Sequence, residues 1–165
     1  MIDLDGDGIE FTEMGLGRTW FDVDGDLFAE RTGWLKGDDG FLVLDANGNG
    51  RIDDVSEMFG GVGQSGFAEL ALLDSNGDGK ITMADVAWSE LKVWQDYDRD
   101  GVTDAGELKT LTELGIVSLD AAAQAMDITT PQGVQLTGFV KQSRRVEAAS
   151  NDNDGAWSER PFRFG

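Results

Sequence analysis

Apolar residues in the first sixty positions come in short runs separated by clusters of Asp, Asn and Gly. Arg18-Thr19-Trp20-Phe21, Arg31-Thr32-Gly33-Trp34-Leu35 and Phe41-Leu42-Val43-Leu44 are rich in aromatic and β-branched residues, a pattern that predicts strands joined by turns. The stretch from Gly60 to Gly66 predicts a flexible connector. Beyond it the spacing changes. Phe67, Leu70, Ala71 and Leu73 recur at roughly helical intervals. Val86, Trp88, Leu91, Val93 and Trp94 form a drifting apolar stripe that predicts a helix over 83–94, and 105–114 predicts a third helix capped by Gly115. The segments 116–119, 126–129 and 134–140 predict short strands, with a turn at Pro131-Gln132-Gly133 between the last two. From Lys141 onward the chain is polar with little period, which predicts partial disorder in 141–165.

The polar clusters carry a second pattern. Five times, Asp or Asn stands at alternate positions of a short run, and most of these runs close on Gly. Oxygen ligands at loop positions 1, 3 and 5, followed by a glycine for the sharp turn, wrap a hard cation such as calcium. The fifth run matches a complete 12-residue EF-hand loop: Asp96, Asp98 and Asp100 at 1, 3 and 5, Gly101 at 6, the Val102 carbonyl at 7, Asp104 at 9 and Glu107 at 12. The fourth places Asp74, Asn76, Asp78 and Gly79 at 1, 3, 5 and 6, the Lys80 carbonyl at 7, Thr82 at 9 and the shorter Asp85 at 12. These two loops start so close together that one helix would serve both.

The other three loops are altered. The third has Asp45, Asn47, Asn49 and Gly50, the Arg51 carbonyl at 7 and Asp53 at 9, but Ser56 at 12, so Glu57 one place later is the expected bidentate ligand. The second has Asp22, Asp24 and Asp26 with Leu27 where glycine belongs, and needs Glu30 or the Asp38/Asp39 turn to complete its shell. The first has Asp3, Asp5, Asp7 and Gly8, then Met14 at position 12, leaving Glu10 or Glu13 to compensate. Asn151 to Gly155 resembles these runs but has Ser150 in the first-ligand slot and reads as a polar turn.

The expected fold class is therefore α+β, with short strands in the N-terminal half and near 116–140 around a compact helical EF-hand-like pair at about 67–114. One calcium-stabilised module is expected over 1–140 (β-rich 1–60, EF-hand-like 67–114, β 116–140), followed by the polar segment 141–165. Composition supports bound cations. Thirty-two acidic against 13 basic residues leave a formal charge of −19, whose self-repulsion opposes compaction. About 3–5 Ca²⁺ ions would offset much of it. With no Cys and no His, disulfides, zinc fingers and histidine- or cysteine-based catalysis are excluded. The acidic surface excludes nucleic acid, and no 18-residue apolar run can span a membrane. Paired carboxylates could in principle serve glycoside hydrolysis, but alternating Asp in Gly-rich turns converges acceptors on a cation instead.

The order of these motifs resembles a known family. Ile2-Asp3-Leu4-Asp5-Gly6-Asp7-Gly8-Ile9-Glu10, Thr32-Gly33-Trp34, Asp38-Asp39-Gly40, Leu44-Asp45, Asn47-Gly48-Asn49-Gly50 and Glu57-Met58-Phe59-Gly60 are similar to the self-processing module of FrpC-like RTX proteins. So are Leu73 to Gly79, Val93-Trp94-Gln95-Asp96, Gly106-Glu107-Leu108 and Leu114-Gly115-Ile116, and the likeness runs over about residues 2–120. The resemblance implies a module of a larger parent protein, exported through a type I channel to the bacterial surface or medium and folding there in external calcium. It further implies calcium-dependent cleavage of an Asp-Pro bond just upstream. There the Asp carboxylate attacks its own peptide carbonyl, proline leaves as an amine, and the resulting anhydride is opened by water or by a lysine amine on another protein. This chain holds Pro131 after Thr130 and Pro161 after Arg160 but no Asp-Pro pair, so as written it is expected to bind calcium, as a monomer, without cleaving itself. The alternative is a non-enzymatic, calcium-rigidified spacer or adhesin domain. A cytosolic EF-hand sensor fits poorly, because the loop spacing is irregular and no Met-rich groove is evident.

Overall fold

The computed structural model describes residues 1–12, 18–60 and 65–121, together with the backbone of 128–129, 135–136 and 142–144. The described chain is built from short antiparallel strands. In order they are β1 (Trp20–Phe21), β2 (Glu30–Arg31), β3 (Phe41–Leu44), β4 (Lys80–Ile81), β5 (Leu91–Trp94), β6 (Leu108–Thr110), β7 (Ile116–Asp120), β8 (Ile128–Thr129), β9 (Gln135–Leu136) and β10 (Gln142–Arg144). A single short α-helix, α1 (Gly66–Ala71), and two 3-10 turns at Val55–Glu57 and Val86–Ser89 complete the described elements. The strands form two three-stranded sheets, ordered β3-β5-β6 and β10-β7-β4, and two hairpin pairs, β1-β2 and β8-β9.

The sheet β3-β5-β6 organises the molecule because both its faces are covered. In β3, Leu42 and Leu44 face one apolar cluster with Ile2, Leu70, Ile81, Leu111, Ile116 and Leu119, while Phe41 and Val43 face a second with Phe21, Trp34, Ile52 and Trp94. Adjacent residues of a strand point to opposite faces, so a run of four apolar residues fits a strand buried on both sides. β5 repeats the alternation: Leu91 and Val93 enter the first cluster and Trp94 the second. The second cluster is aromatic, with the Trp34 and Trp94 rings edge to face at 5.4 Å and Phe21 tilted against both.

The compact helical pair expected at about 67–114 is not there. The stripe over 83–94 splits into the 3-10 turn Val86–Ser89 and the strand β5, with Met83 and Val86 76% and 80% exposed. The segment 105–114 holds β6 and a hydrogen-bonded turn that closes with Ile116 N–H donating to the Leu111 carbonyl at 2.9 Å. Only the first helical stretch survives, as α1, with Leu70 fully buried. Short apolar runs satisfy both periods; what decides here is that β5 has a strand partner on each side and a core on each face. The architecture is mostly β, in small antiparallel sheets.

Two expectations fall largely outside the described residues. The turn at 131–133 lies outside them entirely. So does the C-terminal segment from 141, apart from the backbone of β10, which pairs with β7.

Candidate metal centres

Each acidic run folds into a loop of the same design, and its first Asp is the hub. Asp74 Oδ1 accepts the N–H of Gly77 at 2.7 Å and of Asp78 at 3.3 Å, while Oδ2 accepts that of Gly79 at 2.7 Å. Asp96 does the same with Arg99, Asp100 and Gly101, and Asp22 with Gly25, Asp26 and Leu27. Asp3 takes Gly6 and Gly8, and Asp45 takes Asn49 and Gly50. A carboxylate that gathers the N–H groups of loop positions 4 to 6 curls the backbone into a tight ring.

Sequence spacing allows that curl because positions 4 and 6 adopt positive φ. The fourth positions are Gly6, Gly25, Gly48, Gly77 and Arg99; the sixth are Gly8, Leu27, Gly50, Gly79 and Gly101. Glycine enters that region freely. The alternate side chains then face inward along the curl. Position 3 accepts the position-5 N–H in Asp5–Asp7, Asp24–Asp26, Asn47–Asn49 and Asn76–Asp78. Position 5 accepts the position-7 N–H in Asp26–Phe28, Asn49–Arg51, Asp78–Lys80 and Asp100–Val102. Arg51, Lys80 and Val102, whose carbonyls are the position-7 candidates, thus directly follow the left-handed residue of their loops.

A second carboxylate closes each ring. In the fifth loop, Glu107 Oε1 accepts the N–H of Tyr97 (position 2) at 2.9 Å and Oε2 that of Asp104 (position 9) at 3.0 Å. Asp85 bridges Ser75 and Thr82 in the fourth loop, both at 2.9 Å. Glu57 bridges Ala46 at 3.1 Å and Asp53 at 2.9 Å in the third, so a carboxylate one residue late reaches the same two positions. Glu30 Oε2 accepts the position-2 N–H of Val23 at 3.4 Å in the second. In the first loop the carboxylate arrives from a distant turn: Asp39 Oδ2 accepts the Glu10 N–H at 2.8 Å. Glu10 itself turns away to Lys36, its Oε1 2.7 Å from Nζ.

Carboxylate oxygens converge within 4.8 Å in four groups among the described residues: Asp3, Asp5 and Asp39; Asp22, Asp24 and Glu30; Asp96, Asp98 and Glu107; and Asp98, Asp100 and Asp104. Asp7, Glu10 and Asp26 are not in these groups, and neither are the acids of the third and fourth loops, Asp45, Asp53, Glu57, Asp74, Asp78 and Asp85. In the third loop the Asn47 side-chain amide donates to Asp53 Oδ2 at 3.3 Å. The donor set throughout is carboxylate and amide oxygen, which suits a hard cation and not a thiophilic one. Electrostatics within the groups are strained. Burial pushes the Asp96 carboxyl up to about 6, helped by the charge of Glu107 and by Asp98, against the N–H groups of Gly101 and Arg99. Burial also raises Asp39, with Asp3 and Asp38 adding repulsion and the N–H groups of Glu10 and Leu4 opposing it. A cation among such groups would offset both shifts by favouring the charged carboxylates.

The loops touch one another. Ile52 N–H donates to Thr103 Oγ1 at 3.0 Å, joining the eighth positions of the third and fifth loops, and Val55 N–H donates to the Asp22 carbonyl at 3.1 Å. Thr19 Oγ1 donates to the Arg99 carbonyl at 2.6 Å, so the second, third and fifth loops form one layer beside the aromatic cluster. Thr103 is not in the ligand pattern of its loop; the only mark it leaves in the sequence is a hydroxyl where the third loop has Ile52.

This succession of loops matches the SPM domain family, whose model covers residues 1–155. The chain belongs to the SPM domain family. It is also 48% identical over 130 residues to the iron-regulated protein FrpA of Neisseria meningitidis serogroup C, across 73% of this chain and 12% of that protein. FrpA is an RTX-family protein, so this SPM domain is an FrpA/FrpC-like module, and in that relative the matching part sits inside a far longer protein. Among the described residues, no helix of the SPM domain is long and apolar enough to cross a membrane.

Proposed function

We propose that this SPM domain is a calcium-binding module of a secreted RTX-type bacterial protein, and that calcium drives its folding outside the cell. The observation that carries the reading is the repeated loop: a first Asp gathering the N–H groups of positions 4 to 6, side-chain oxygens at 3 and 5 accepting the N–H groups of 5 and 7, and a closing carboxylate that accepts the N–H of position 2. A net charge of −19 gives the apo chain a strong reason to stay loose. Calcium at 100 times its Kd stabilises by roughly 2.7 kcal/mol per site, so a few filled sites rival a domain's whole stability of about 5–15 kcal/mol.

In the parent protein, the folded module would hold an upstream Asp-Pro segment in attack geometry. The Asp carboxylate oxygen would bond to its own peptide carbonyl carbon, the C–N bond would break, and the proline nitrogen would leave as an amine after taking a proton from water. Water or a lysine amine would then open the cyclic anhydride. The module's contribution is effective molarity: it fixes an intramolecular nucleophile near its target.

The test extends the chain with an Asp-Pro pair a few residues before Ile2. In millimolar calcium the extended chain yields a fragment with N-terminal proline, and in EDTA it stays intact. If it folds with calcium, by circular dichroism and Trp fluorescence, yet stays whole, the module is a calcium-rigidified spacer. If chelation leaves both spectra unchanged, the calcium reading is wrong.

A further inference from the structure

We propose that Asp39 completes a discontinuous site for a calcium-class divalent cation with Asp3 and Asp5, and that this site fastens the N-terminal segment to the core sheet. The inference deepens the calcium reading above and rests on it. The carboxylate oxygens of the three residues lie within 4.8 Å of one another. Asp39 is 2% exposed, and while its Oδ2 accepts the Glu10 N–H at 2.8 Å, its Oδ1 is buried with no hydrogen-bond partner. A buried carboxylate oxygen without a donor is costly, and a cation bound to the group removes that cost.

The backbone holds this placement. Ile2 N–H donates to the Gly40 carbonyl at 2.7 Å and Gly40 N–H returns a bond to Ile2 at 3.1 Å, which sets Asp3 beside Asp39. The turn packs directly on β5, where Gly40 leaves no room for a side chain: a Cβ there would meet Val93 Cγ1 at 2.3 Å. Asp39 thereby takes the closing role that Glu107 and Asp85 play within their own loops. The first loop has Met14 at its twelfth position and no carboxylate of its own there. The cation at this site would bridge two stretches of chain where the loops after Asp74 and Asp96 each enclose one.

The experiment is a calcium titration of the full chain followed by amide NMR. In the wild type, the amides of Gly6, Gly8 and Gly40 shift on calcium addition, as do Gly79 and Gly101. Asp39→Asn keeps the shape but drops the charge. It should weaken the Gly6 and Gly8 midpoints at least about tenfold while Gly79 and Gly101 respond as before. Wild-type midpoints at Gly6 and Gly8 in this variant would overturn the proposal and leave the calcium reading standing. Should Asp39→Asn fail to fold, Asp5→Asn, altered at an exposed position, takes its place: it should weaken the Gly6, Gly8 and Gly40 midpoints at least about tenfold relative to those of Gly79 and Gly101, and wild-type midpoints there overturn the proposal. A wild-type chain in which none of the five glycines responds to millimolar calcium overturns both readings together.

Discussion

Glu107 Oε2 accepts the indole N–H of Trp94 at 3.2 Å, with Trp94 fully buried and Glu107 4% exposed. The carboxylate that closes the fifth loop is therefore also the polar anchor of the aromatic cluster between β1, β3 and β5. Glu107→Ala would strand three donors at once, the N–H groups of Tyr97 and Asp104 and the Trp94 indole. Its expected cost is about 3 kcal/mol or more, read by urea unfolding with calcium present. Glu107→Gln retains an acceptor and is expected to lose less in calcium-free buffer than in calcium. In both variants the Trp emission moves, because the loop and the ring share a bond.

Two glycines with the same backbone should respond differently to alanine. Gly77 has φ +74 and open space around a would-be Cβ, so Gly77→Ala carries only the left-handed strain, about 1–2 kcal/mol. Gly101 has φ +82, and its Cβ would lie 2.3 Å from the Trp20 carbonyl oxygen. Gly101→Ala adds that clash and is expected to unfold the layer formed by the second, third and fifth loops. Thermal melts of the two variants measure the difference.

Leu27 stands at φ +75, where the other loops place glycine at position 6, and its side chain is 86% exposed. Its backbone is strained and its burial returns little. Leu27→Gly should raise stability by up to about 1 kcal/mol, the strain relieved less the extra chain entropy of glycine. A denaturant midpoint that moves upward checks it.

Acidity should stabilise the calcium-free chain. Asp96 has its carboxyl pushed from 3.8 up to about 6, chiefly by burial, so between those pH values the folded state holds a proton that the unfolded state has released. Stability from this group is present below the lower value and is lost as pH rises through the upper one. The upward shift of Asp39 has the same sign. Whatever folded fraction remains in calcium-depleted buffer should therefore fall as pH rises from about 4 to 7, read by circular dichroism. Asp96→Asn, which does not titrate, should flatten that slope.

The loop turns were legible because their contacts are local. Asp74 reaches no further than Gly79, and Asp96 no further than Gly101, so spacing alone exposes the hub and the left-handed positions. The strand Phe41–Leu44 was equally plain, as an unbroken apolar run between turns. The segment 83–94 misled for a physical reason. Its apolar residues suit a helix stripe nearly as well as a strand with both faces covered, and both its partner strands, β3 and β6, and the residues that cover its faces, Ile2 and Leu119 on one side and Phe21 and Trp34 on the other, lie outside the segment. Glu10 misled similarly: it is near the first loop in sequence, but Lys36 claims it.

Taken by itself, the sequence determined an acidic chain of repeated oxygen-lined loops, since position-1 carboxylates, alternate oxygens and turn glycines act within six residues of one another. Tertiary structure alone decided that the loops hang from strands, and that Asp39 stands beside Asp3. Both outcomes depend on pairing between distant segments, Ile2 with Gly40 and β3 with β5, and burial of shared surface, which no local spacing records, selects that pairing.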